Sequence, residues 1–294
     1  MRMLIEKKYQ YGDVTLNYAD DNGSNPPLLL THGLTDRWQY FLPIIPNLSE
    51  RWRVYALDFR GHGESSRSPP YTYANHIADV IAFLENVVRE ETVLFSSSLG
   101  GMVSLMVAAK RPDLVKALVF IDANIKVEGI HEVMVNYYSY WSGWRKIAAH
   151  QKPFEAMLKQ VQEMPVNVPG QVKKTYGEGL GIVSLMNKTN YLRHLDPEVL
   201  ADWELGGVDP EAFRRVTSGY DETLIKQIKC PVLLIQANAK KGAILRDDEV
   251  EYARRLIPRC YHVYIEEYDH NTGLYDWNPG RLLQVTNVFL ETLR

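Results

Sequence analysis

Short apolar runs recur along the first 124 residues, each closed by a polar turn and followed by a stretch of helical spacing. Leu28-Leu29-Leu30, Val54-Tyr55-Ala56-Leu57, Thr92-Val93-Leu94-Phe95 and Lys116-Ala117-Leu118-Val119-Phe120-Ile121 are such runs. A strand with no polar face is buried on both sides, as in a parallel sheet covered by helices. Ahead of them, Leu4 to Tyr11 and Val14 to Tyr18 read as a hairpin, and Asp20 to Pro26 as a turn cluster. Helical spacing is predicted from Leu42 to Leu48, interrupted by prolines, from Tyr73 to Val88, and from Met102 to Ala109.

The pattern breaks after Asn124. Residues 125 to 217 read as helices and loops without a convincing apolar strand, and aromatic residues crowd their first part: Tyr137, Tyr138, Tyr140, Trp141 and Trp144. Alternation resumes with the run Pro231 to Ile235. A helix (Asp247 to Leu256), a strand (Tyr261 to Ile265) and a terminal helix (Arg281 to Leu293) follow. The reading is an α/β fold with a mostly parallel central sheet flanked by helices. Residues 1–124 and 218–294 form the core, and a helical cap, 125–217, is inserted after the sixth strand.

Composition narrows the partners. The chain of 294 residues is 46% hydrophobic, ample for a large core, and carries a net charge of -3 with no Lys/Arg-rich block. That argues against nucleic acid or an anionic membrane as partner. No apolar run approaches the ~18 residues of a membrane span. The start, Met1 to Lys8, carries charge where a signal peptide is apolar, so the expected compartment is the cytosol. Two cysteines, Cys230 and Cys260, cannot form a disulfide framework and are expected to be buried free thiols.

Candidate chemistry centres on Ser98. It stands in Phe95-Ser96-Ser97-Ser98-Leu99-Gly100-Gly101, where a strand passes directly into a helix. Such a bend lifts the middle side chain out of the sheet, and the residues two before and two after must be small. Here they are Ser96 and Gly100, close to the nucleophile elbow G-x-S-x-G with Ser96 in place of the first glycine. Read alone, the run also fits a Ser-rich loop opening a helix.

With His32-Gly33 after the third strand, the turn Asp58-Phe59-Arg60-Gly61-His62-Gly63-Glu64-Ser65 after the fourth, the elbow after the fifth and a late histidine, nearly the whole chain resembles the α/β-hydrolase superfamily. The resemblance implies Ser98 as nucleophile and His270, in the loop after the last strand, as its base. It implies an oxyanion hole from the backbone N–H groups of Leu34 and Leu99. The acid stays open. Gln236 to Gly242, where most relatives carry an Asp, holds no carboxylate. Asp122, directly after the sixth strand, is the first candidate. Asp247 and Asp248, which look like the opening turn of a helix, are the second. Asp269 beside the histidine faces the wrong way. His32 and His62 read as structural, with Arg60 and Asp58 pairing locally, and no cluster has metal-ligand spacing.

A serine nucleophile implies an acyl-enzyme on an ester, lactone, thioester or activated amide, without cofactor or metal. The partner expected is a small, largely apolar substrate, with no nucleic acid or membrane, and the chain a monomer or homodimer. Trp38, with Phe41, and Tyr137 and Trp141 are candidates to line the pocket. Met134, Met157, Met164 and Met186 suggest an apolar acyl or aryl site, or plain helix packing. Two other readings remain: a carbon–carbon bond hydrolase or perhydrolase, or a receptor-like binding module with incidental turnover. The loop His32-Gly33-Leu34-Thr35 lacks the Gly- and Ser-rich character usual in the carbon–carbon hydrolases.

Overall fold

The computed structural model describes residues 3–150, 152–166 and 174–293. Strands β1 (Ile5–Tyr11) and β2 (Val14–Asp20) form the expected hairpin. β3 (Pro27–Thr31), α1 (Ile45–Leu48), β4 (Arg53–Leu57), α2 (Tyr73–Phe83), β5 (Thr92–Ser97), α3 (Leu99–Lys110) and β6 (Val115–Ile121) follow. Between β6 and the next sheet strand lie α4 (Val127–Asn136), α5 (Tyr138–Ala149), α6 (Phe154–Glu163), β7 (Pro165–Val166), β8 (Lys174–Thr175), α7 (Tyr176–Gly179), α8 (Ile182–Arg193), α9 (Ala201–Leu205) and α10 (Pro210–Val216). The chain closes with β9 (Val232–Ala237), α11 (Asp247–Leu256), β10 (Cys260–Ile265) and α12 (Gly280–Glu291).

The main sheet runs β1-β2-β4-β3-β5-β6-β9-β10. β1 and β2 are antiparallel to their neighbours, and every pairing from β4 to β10 is parallel. β3 lies between β4 and β5, so the winding reverses there. Open parallel sheets form their crevice outside the carboxyl ends of the strands at such a reversal.

Side chains alternate across the sheet as a period of two requires. Leu29 and Leu94 pack into one buried cluster, and Leu28, Leu30, Val93 and Phe95 into the other. Helix α3 is buried from Leu99 to Ala109. Its side chains Val103, Leu105, Met106 and Val107 are fully enclosed, each stabilising the fold by about 1.5–3 kcal/mol. The helix is therefore a rigid platform for the residue that precedes it.

Three local expectations change. The helix read from Leu42 to Leu48 is cut to the turn of α1, with a 3₁₀ turn over Trp38–Phe41 before it, because Pro43 and Pro46 cannot donate helical hydrogen bonds. The helix from Tyr73 ends as a π-turn over Leu84–Val88, closed by Arg89 at φ 60°. Inside the stretch read as strand-free, β7 and β8 pair antiparallel. Two residues each is too short a ladder to show as periodicity. Residues 167–173 of the predicted cap lie outside the described chain. Cys230 is buried and Cys260, opening the edge strand β10, is half-buried; both are free.

Candidate active site

Ser98 joins β5 directly to α3 with φ 53° and ψ -120°. That is left-handed backbone for a residue with a Cβ, a strained state held by the elements on either side. Small neighbours make the bend possible. A Cβ on Gly100 would lie 2.2 Å from the Thr31 carbonyl oxygen. Ser96, standing where the motif has glycine, is fully buried and occupies a hydroxyl triangle. It accepts from Thr31 Oγ1 at 2.8 Å and donates to Ser104 Oγ at 2.8 Å. Serine is tolerated there because both polar partners are supplied. Gly100→Ala is accordingly expected to lower stability by more than about 3 kcal/mol, read from the urea unfolding midpoint.

Sheet register brings Ser98 beside Asp122. β5 and β6 pair in parallel with Ser97 opposite Ile121, so the next residue on each strand is Ser98 and Asp122. The Ser98 amide donates to the Ile121 carbonyl at 3.1 Å, and the Asp122 amide to Ile235 at 2.9 Å. Asp122 also has a positive φ, 36°, and is fully buried. His270 comes from the loop after β10. That loop is held by the Asn238 amide donating to the Tyr268 carbonyl at 3.0 Å and by Tyr40 Oη donating to the Asn271 carbonyl at 3.1 Å.

The three side chains form one hydrogen-bonded line. His270 Nδ1 donates to Asp122 Oδ2 at 2.6 Å, and Ser98 Oγ donates to His270 Nε2 at 3.1 Å. The carboxylate fixes the tautomer: Nδ1 carries the hydrogen, leaving Nε2 free to accept a proton. Asp122 is itself fixed by the backbone N–H groups of Ile244 and Leu245, at 3.1 and 3.2 Å. The loop after β9 has no carboxylate to offer; it supplies the donors that orient one arriving from β6. Asp247 and Asp248 are engaged elsewhere. Asp247 accepts from Gln236 Nε2 at 2.7 Å, and Asp248 pairs with Lys126 at 2.6 Å. Asp269 accepts from the Asn271 amide in its own loop at 2.9 Å.

Leu34 and Leu99 both border the cavity over Ser98. Gly33 and Asp36 close a turn through a 3.2 Å hydrogen bond, with Leu34 and Thr35 at its centre. A Cβ on Gly33 would lie 3.3 Å from Ser98 Cβ, so this turn passes close over the serine. The Leu34 carbonyl faces His62 Nε2 at 2.7 Å, and burial pushes the pKa of that ring down to about 4. Above the serine the cavity is about 560 Å³, within the usual range for small-molecule sites. Met102, Tyr137, Tyr140, Trp141, Tyr176 and Trp203 supply its apolar wall.

A family model described as the alpha/beta hydrolase fold matches residues 26–275. The chain belongs to the α/β-hydrolase family. Over 125 residues it is 38% identical to the 2-(acetamidomethylene)succinate hydrolase of Mesorhizobium japonicum, covering 42% of this chain and 45% of that protein. It is 29% identical to an sn-1-specific diacylglycerol lipase of Danio rerio over 46% of this chain and 42% of the lipase. The chain thus aligns with less than half the length of these two relatives. Among solved structures, a carboxylesterase from the thaumarchaeon Nitrososphaera gargenis superposes with a TM-score of 0.73 at 17% identity, covering 98% of each chain. That likeness concerns the fold.

Several details of this member of the α/β-hydrolase family differ from the sequence reading. Trp38 does not border the cavity. Asp58 Oδ1 accepts from the Trp38 amide at 2.7 Å, and the indole packs with Phe41 in the cluster on the far face of the sheet. Tyr137 and Trp141 do line the cavity. The four cap methionines do not. Met134, Met157 and Met164 are buried in cap packing and Met186 is exposed, while Met102 of α3 reaches the site. Arg60 pairs with Asp79 through two 2.6 Å bonds, not with Asp58. Asp58 is occupied by the amides of Trp38 and Glu64 and by Asn17. Lys174 and Lys241 border the cavity as well, and sequence reasoning assigned them no place. Among the described residues, no helix is long and apolar enough to cross a membrane.

Proposed function

We propose that this α/β-hydrolase is a serine esterase or lactonase acting on a small, largely apolar substrate through an acyl-enzyme. The hydrogen-bonded line Ser98–His270–Asp122 at the floor of an aromatic cavity carries the reading. Ser98 Oγ attacks the carbonyl carbon as its proton passes to His270 Nε2. The C=O π electrons move onto oxygen, which the backbone N–H groups of Leu34 and Leu99 stabilise; the α3 N-terminus adds its positive end. The tetrahedral intermediate collapses, the alkoxide or lactone-ring oxygen leaves with the proton from His270, and the acyl group stays on Ser98. Water, deprotonated by the same imidazole, then releases the acid. Asp122 orients the ring and stabilises its positive charge. Tyr140, Trp141 and Trp203 suit an acyl chain or ring of a few carbons, and relatives named as a diacylglycerol lipase and a 2-(acetamidomethylene)succinate hydrolase agree with acyl transfer to water.

The test is a panel of p-nitrophenyl esters of graded chain length run beside γ- and δ-lactones, with a fluorophosphonate probe and peptide mass spectrometry. Turnover of short and medium chains and covalent label on Ser98 are expected. A protein that neither turns over any of them nor takes the label on Ser98 defeats the proposal.

The pH profile is a second prediction. Burial favours the neutral His270 ring, but the hydrogen bond to Asp122 and the charges of Asp122, Asp269 and Asp36 outweigh it, so its pKa lies above the ordinary 6.5. The neutral ring is the base. Ester kcat/KM is therefore expected to fall on the acid side with a midpoint above 6.5 in the free enzyme. A midpoint below that value would mean that burial outweighs the Asp122 carboxylate in setting the protonation of the ring.

A further inference from the structure

Helix α8 of the cap drives a lysine into the protein's interior. Lys188 is 4% exposed and does not border the cavity. Its ammonium donates to Thr35 Oγ1 and, at 3.3 Å, to Tyr275 Oη. Tyr275 Oη in turn donates to Asp36 Oδ1, whose carboxylate lies 3.9 Å from the ammonium. The rings of Trp144 and Tyr275 stand 5.2 and 5.6 Å from the charge. One helical turn earlier, Ser184 Oγ donates to the Tyr275 carbonyl at 3.1 Å and to Asp276 at 2.7 Å. Burying a cation, a carboxylate and a phenol is costly unless each is partnered. Here they partner one another, and they converge on one four-residue turn.

That turn is Gly33 to Asp36. Thr35 and Asp36 directly follow Leu34, and the Asp36 carboxylate folds back over Gly33, where an added Cβ would lie 2.6 Å from Asp36 Oδ2. The Gly33 carbonyl, in the same peptide plane as the Leu34 N–H, is met by the Asp36 amide at 3.2 Å and by His32 Nδ1 at 2.8 Å, so that plane follows the placement of Asp36, and an oxyanion donor must point to within a fraction of an ångström. We propose that Lys188 is a positioning residue for the oxyanion hole: it ties α8 to Thr35 and, through Tyr275, to Asp36, and so fixes the direction of the Leu34 N–H. The cap then does more than cover the substrate. It completes the catalytic geometry from outside the pocket. This inference rests on the serine-hydrolase reading above.

An interaction that aims an oxyanion donor acts on the transition state and on tetrahedral adducts, and little on the ground-state ester. Lys188→Met is therefore expected to lower kcat for p-nitrophenyl butyrate by about 10- to 100-fold with KM changed less than about threefold. The affinity for phenylboronic acid, which forms a tetrahedral adduct on the serine, should fall by a similar factor in calorimetry. Thr35→Val and Tyr275→Phe each remove one limb of the same network and should show the same split in smaller measure, which covers the case of a Lys188→Met protein that does not fold. If folded variants match the wild type in kcat and boronate affinity, or if KM rises while kcat holds, Lys188 does not position the hole. If the wild type itself neither hydrolyses the ester nor binds the boronic acid, the hydrolase reading fails instead.

Discussion

Ser98→Ala is expected to lower ester kcat by on the order of 10⁵-fold or more, leaving only what the oxyanion hole and binding provide. Folding should barely change. Ser98 Oγ meets His270 Nε2 at 3.1 Å, and alanine leaves that acceptor facing the open cavity, where water can take the place. The strained φ of 53° belongs to the position, since alanine carries the same Cβ, so no strain is relieved. The variant should therefore melt within a few degrees of the wild type, as expected for a change of about 0.5 kcal/mol or less. The combination is diagnostic: an inactive protein with an unchanged melting curve has lost chemistry and kept its structure. Turnover surviving in purified Ser98→Ala protein would assign the nucleophile elsewhere.

The sheet and the elbow were legible because both rest on local physics. Apolar runs such as Leu28-Leu29-Leu30 fit only a strand buried on two faces, and the tight contact of Gly100 with Thr31 leaves a small-residue requirement that can be read from the chain. The placement of a carboxylate beside His270 was half legible. A stretch without a carboxylate, Gln236 to Gly242, pointed away from the loop after β9, but only the register of β5 on β6 shows that Asp122 must emerge beside Ser98. Side-chain direction in loops was not legible. Trp38 follows the oxyanion turn closely in sequence, and it turns away because Asp58, 20 residues on, captures its amide. Arg60 chose Asp79 over its neighbour Asp58 for the same reason: three donors already occupy Asp58. Lys188 did leave a signal. It lies on the stripe Leu185, Lys188, Thr189 and Leu192, all buried, so a cation stood where the helical period calls for an apolar residue. A charge on a core stripe announces a buried partner, though not its identity.

Asp122→Asn tests the last member of the line, and its outcome follows from counting acceptors. The Asp122 carboxylate receives three N–H donors: His270 and Ile244 on Oδ2, Leu245 on Oδ1. Asparagine has one oxygen and one NH₂ group. Facing its oxygen to His270 sets two amide hydrogens against the Leu245 N–H, opening the loop after β9 that orients the residue. Facing its nitrogen to His270 forces the ring into the other tautomer, with the hydrogen on Nε2, where it can no longer accept the Ser98 proton. The second orientation loses the base outright, and the first lacks the negative charge that stabilises the imidazolium, so kcat is expected to fall by about 10⁴-fold. Removing the carboxylate also removes the first of the influences that raise the His270 pKa, so the acid limb of whatever activity remains should move to lower pH. Asp248→Asn exchanges a half-exposed partner of Lys126 and should leave kcat within about twofold, as surface substitutions do. Asp247→Asn keeps an oxygen acceptor for Gln236 and should behave alike. If Asp248→Asn or Asp247→Asn proved the more damaging change, the orienting carboxylate would lie on α11 and the line from β6 would be structural.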